Sequence, residues 1–235
     1  MNTQKLHLAI AEFTRKKKSN AAYYKENWDE RRERKTFYQS YTKDKILAMT
    51  EDEFLEYISK LWSMLIWGNK KYVVDKLIAD NGFAALKKHL AELLYGTSLI
   101  EKRWDVFLKS IKGMGPATIS ELLTYANPQE YVIFNKTTIL CYGYLDIPDM
   151  PKYNYQYTGK KYAEVCAIAK EIAAELKKAG AEIVYGMDEI ATAPIDGSGY
   201  NADYGLLGSN KATEDMVKLF PRDCMEFVTA LQAEM

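Results

Sequence analysis

Histidine and cysteine are scarce in this chain. Its 235 residues include two histidines, His7 and His89, and three cysteines, Cys141, Cys166 and Cys224, which lie far apart. There is no CxxC pair and no Cys/His cluster, so a structural zinc or an iron–sulfur cluster is not expected. The cysteines read as reduced thiols that pack in the interior. No metal and no cofactor is expected. Long apolar runs are missing as well, and no stretch is long enough to span a bilayer. The basic cluster Arg15–Lys18 follows a short apolar segment, the reverse of the order in a secretory signal. The expectation is a cytoplasmic protein with no membrane partner. Fixed-period repeats and low-complexity tracts are also lacking. The zero net charge is unevenly spread, with +6 over residues 1–45, +1 over 46–180 and −7 over 181–235. A neutral total argues against avid non-specific DNA binding, yet one basic face is enough to neutralise phosphates.

Apolar residues are plentiful. Hydrophobic residues make up 48% of the chain, enough to build a core for one large domain or two small ones. The 18 tyrosines and four tryptophans can serve as core, as partner surface or as base-stacking surface. Helical periodicity dominates, so the fold class is mainly α. Thr50 with Glu53 forms a capping box that opens a helix expected over residues 51–67, with Phe54, Ile58, Leu61, Leu65 and Ile66 on its apolar face. Further helices are expected over 72–82, 83–96, 98–111 and 117–126, with a short one from about Lys136. The clearest runs over 162–180. The alternating tyrosines Tyr153, Tyr155 and Tyr157 suggest a small hairpin, and residues 191–212 a long loop.

The stretch IKGMGPATISELL, residues 111–123, carries the chemistry. Leu108 and Ile111 close one amphipathic helix. Gly113 and Gly115 permit positive φ and a close approach to another surface. Pro116 suits a first helical position, and Ile119, Leu122 and Leu123 give the next helix its buried face. The N-terminus of that helix points free N–H groups at the turn, an arrangement that suits a phosphate. Lys112 and Thr118 add direct contacts. The bland alternative is an ordinary tight αα-hairpin.

Two apolar helices around Gly-Met114-Gly, with Thr118 in the second helix, resemble the helix-hairpin-helix DNA-binding element. The resemblance extends to the helix-hairpin-helix superfamily of DNA glycosylases, whose helices form a barrel around a cleft. It implies a single unit over 1–235, with a barrel subdomain at 50–134 containing the hairpin 108–124, and a second subdomain from 1–49 plus 135–235. In that superfamily a catalytic aspartate follows the hairpin at the start of the next helix, and Asn135 occupies this place. The loop Trp67–Lys71 matches the position of a residue that plugs the gap left by an extruded base, a part assigned here to Asn69, with Lys70 and Lys71 beside the DNA. The lysine that bifunctional members carry inside the hairpin is Ala117 here. The implied DNA-contacting set is Lys112, Gly113, Met114, Gly115, Ala117, Thr118, Asn69, Lys70 and Lys71. The implied partner is double-stranded DNA with an extruded base.

Removing a base needs an acid or anionic group near the sugar and an activated water. With Asn135 at the aspartate's place, the carboxylate has to come from elsewhere, the candidates being Asp188 and its neighbour Glu189, and Glu121. Each of these has an everyday role as a solvated or capping carboxylate, and Asn135 has one as a helix N-cap. Two functions therefore stand side by side. One is a DNA glycosylase that flips and removes a modified base, such as a bulky base of foreign or phage DNA. The other is a catalytically silent recognition module of a restriction or defence system. The basic, aromatic segment Arg15–Tyr41 can follow a DNA backbone or form a solvated helical face.

Overall fold

The structure, a computed structural model, describes residues 1–19 and 21–178. Asp188, Glu189, the loop 191–212 and Cys224 lie outside the described residues. Every regular element among those described is helical. Helix α1 runs Thr3–Ser19, α2 Ala21–Gln39, α3 Lys43–Ala48 and α4 Glu51–Ser59. They are followed by α5 Lys70–Asn81, α6 Phe83–Tyr95, α7 Ile100–Ser110, α8 Pro116–Ala126, α9 Lys136–Tyr144 and α10 Gly159–Lys178. No helix among the described residues is long and apolar enough to cross a membrane.

The capping box at Thr50 forms as expected. Its hydroxyl accepts from Glu53 N–H at 3.2 Å, while the Glu53 carboxylate accepts from Thr50 N–H at 2.8 Å. The helix it opens is shorter than its periodicity predicts. It ends at Ser59, Leu61 turns extended, and a new 3₁₀ turn covers Trp62–Met64. Leu65 and Ile66, expected in the core, are exposed, Ile66 at 83%. The break has a distant cause. The carboxylate of Glu121, on α8, accepts from the N–H groups of Trp62 (2.5 Å) and Ser63 (3.1 Å) and so starts a separate turn. The hairpin expected at the tyrosines is absent as well. Asn154–Gln156 form a 3₁₀ turn.

Both helices that flank the glycine turn are packed against other helices, and α6 bridges α3, α5, α7 and α8. Helices α10 and α6 lie against α7, while α2 lies against α8. Trp104 of α7 stacks on Tyr162 of α10 with centroids 4.0 Å apart, and Phe134 fills the side of the pair. On the other flank Tyr38 of α2 stacks on Tyr125 of α8 at 4.8 Å and donates its hydroxyl to Tyr57 C=O. Burying one such ring stabilises the fold by roughly 2–3 kcal/mol. Tyr38 and Tyr41, in the segment that can follow DNA, are thus core residues. Arg103 is buried too. Its guanidinium donates to the carbonyls of Leu93 and Ser98 and to the Tyr131 hydroxyl, tying the end of α6 to α7. Cys141 and Cys166 are buried thiols outside any disulfide, and burial pushes Cys166 up to about 11.

Candidate nucleic-acid interface

Two helices flank the turn as expected. Ile111 closes α7 and Pro116 opens α8 at its first position. Gly113 has φ +89°, where a side chain is strained, and a Cβ there would meet Leu77 Cδ1 at 3.3 Å. Gly115 differs from the expectation. Its φ is −93° and its ψ 179°, ordinary extended backbone, because it serves as the N-cap of α8. A Cβ on Gly115 would find open space. Its smallness therefore leaves room for an approaching group and is not required by the fold.

Met114 and Ile111 are buried and pin the turn to the core. Asn81, the last residue of α5, clasps it from outside. Its side-chain oxygen accepts from Lys112 N–H at 2.7 Å, and its amide nitrogen donates to Lys112 C=O at 2.9 Å. The backbone is thereby fixed before any ligand arrives. The Lys112 side chain stays exposed, as do Gly113, Gly115 and Ala117, with Thr118 half-buried. No side chain among the described residues caps the start of α8, and Pro116 has no N–H. Its open donors are thus those of Ala117 and Thr118, facing the exposed turn.

The expected catalytic residues take structural places. Asn135 is the N-cap of α9, its side-chain oxygen accepting from Thr138 N–H at 3.0 Å. The residue before it is tied to α8 by Phe134 N–H donating to Ser120 Oγ at 2.8 Å. Glu121, the neighbour of Ser120, is 2% exposed and is directed at Trp62 and Ser63. Successive helical residues point about 100° apart, so Asn135 and Glu121 serve different helix starts. No group of three or more His, Cys, Asp or Glu among the described residues is placed to hold a metal ion.

The loop after the 3₁₀ turn holds the residues that sequence reasoning passed over. Asn69, expected to plug a gap, is the N-cap of α5 and accepts from Tyr72 N–H at 3.0 Å. Lys70 donates to Ser59 C=O at 3.1 Å. Lys71 pairs with Asp75 at 2.7 Å, with both side chains exposed. Such a pair is weak and a phosphate can displace it. Projecting instead are Leu65, Ile66 and Trp67, each about half or more exposed. The missed signal was the run Leu65-Ile66-Trp67 directly before Gly68, which reads as core in a continuous helix and as a tip once Glu121 interrupts it. The tip and the turn stand near opposite ends of α5, a helix about 18 Å long by its rise per residue. No family model matches the chain, and no curated protein or solved structure matches it either.

Proposed function

We propose that this chain binds double-stranded DNA through residues 112–118 and acts as a recognition module, within a glycosylase-like helical unit that keeps the DNA grip without the base-removing chemistry. The observation that carries this reading is the start of α8. No side chain among the described residues caps it, it opens onto an exposed glycine turn, and that turn is held by Asn81. A backbone phosphate completes the hydrogen bonds of Ala117 and Thr118, with Lys112 alongside. Ile66 and Trp67 take the gap-filling part expected of Asn69 and enter the groove as an apolar wedge. Recognition is favoured over base excision because Asn135 and Glu121 are both engaged in capping backbone. A base-excision reading rests on Asp188, outside the described residues.

The test uses the full chain and a fluorescently labelled duplex over a range of salt. Binding should weaken linearly in log K against log salt. No binding at low salt would overturn the proposal. Incubation with duplexes carrying varied modified bases, followed by alkali, should give no strand breaks. Breaks at one modified base would restore base excision.

A further inference from the structure

The three alternating tyrosines of residues 153–157 part in the fold. Tyr157 turns inward, its ring centroid 4.8 Å from that of Phe134. Tyr153 and Tyr155 turn outward, 61% and 77% exposed, with their rings parallel to within 6° and centroids 5.8 Å apart. Two parallel aromatic rings in water leave apolar faces uncovered, so their arrangement needs a source. It comes from the backbone. The side-chain oxygen of Gln156 accepts from the N–H groups of Lys152 (2.7 Å) and Tyr153 (2.9 Å), fixing the turn between the rings.

The turn is fastened to α7, the arm that leads into the glycine turn. Trp104 Nε1 donates to Tyr157 C=O at 2.8 Å, and the Asp105 carboxylate accepts from Gly159 N–H at 2.7 Å. Gly159 lies so close to α7 that a Cβ there would fall 2.0 Å from the Glu101 carbonyl oxygen. Lys152 and Lys160, both exposed, flank the pair in sequence.

We propose that Tyr153 and Tyr155 form a stacking platform for an unpaired nucleobase, so that the preferred partner is DNA with bases outside the duplex. This inference rests on the DNA-binding reading above. Base–aromatic stacking is tolerant of sequence because every base has a π face. The ring separation is narrower than the about 7 Å, or two stacking distances, that a sandwiched base requires. The base therefore lies on an outer face of the pair, and Lys152 or Lys160 meets the adjoining phosphate.

The test compares the full chain on an intact duplex and on the same duplex with a short adenine gap, by fluorescence anisotropy. The wild type should bind the gapped DNA about tenfold more tightly. The double variant Tyr153→Ala, Tyr155→Ala should lose that preference and keep its affinity for intact duplex. Tyr153→Phe with Tyr155→Phe should keep the preference, since stacking does not use the hydroxyl. Equal binding of both DNAs by the wild type, or a preference that survives the alanine variant, would overturn the platform and leave the duplex reading standing. Tyrosine-dependent binding of gapped DNA without duplex binding would do the reverse. Failure to bind either DNA would overturn both.

Discussion

Helices α8 and α9 start from nearly the same backbone. Gly115 (φ −93°, ψ 179°) and Asn135 (φ −122°, ψ −173°) are both extended, and each carbonyl accepts the first helical hydrogen bond, from Ile119 and Ile139. The chemistry then diverges. At α9 the Asn135 side chain covers the Thr138 N–H. At α8 there is no side chain, and Ala117 and Thr118 face an exposed turn. A helix start that satisfies itself has nothing left to offer a ligand, whereas one that stays open can take an anion. The residue types exchanged between these two places, glycine where the DNA grip is expected and asparagine where a catalytic carboxylate is expected, favour binding over catalysis.

The largest expected effect concerns a third start, the 3₁₀ turn at Trp62, whose donors are covered from another helix. Glu121→Ala removes that cover from two N–H groups and should lower unfolding free energy by about 3 kcal/mol, read by denaturant melts. A loss below about 1 kcal/mol would mean that Glu121 is not needed to hold the turn, and would free it for another role. Next, Gly115→Asp gives the start of α8 a capping side chain, as Asn135 gives α9, but a charged one. The backbone already suits an N-cap and the space is open, so thermal stability should hold or rise slightly. Duplex affinity should fall by about tenfold or more, because a carboxylate then occupies the site and repels phosphate. Lys112→Ala should weaken duplex binding several-fold and reduce the slope of log K against log salt by about one. The reverse exchange, Asn135→Gly, should have the smallest effect, a few tenths of a kcal/mol in stability. It should leave DNA binding unchanged, and a large loss of binding would put part of the grip at the start of α9.

The helical class, the capping box at Thr50 and the position of the glycine turn were legible in the sequence because they depend on neighbours a few residues apart. The shortened α4 was not, because its cause, Glu121, lies 59 residues beyond Trp62. Periodicity assigned Leu65 and Ile66 to a core face that existed only while the helix continued. Gly113 and Gly115 looked equivalent in sequence. The fold separates them, one by a positive φ and a close Leu77, the other by open space. The role of Asn135 was legible as an N-cap from residue type and place alone. Which of the three tyrosines faces the core was not, since strict alternation would send all three the same way in a strand. The 3₁₀ turn rotates Tyr157 away from the other two.

Whether the start of α8, and not that of α9, meets the phosphate is read by adding duplex DNA to the ¹⁵N-labelled chain and following backbone amide resonances. Ala117 and Thr118 should shift most, together with Lys112 and Gly113, while Thr137 and Thr138 stay in place. DNA binding that leaves Ala117 and Thr118 unmoved, or that shifts Thr138 more than either, would contradict a phosphate site at the start of α8.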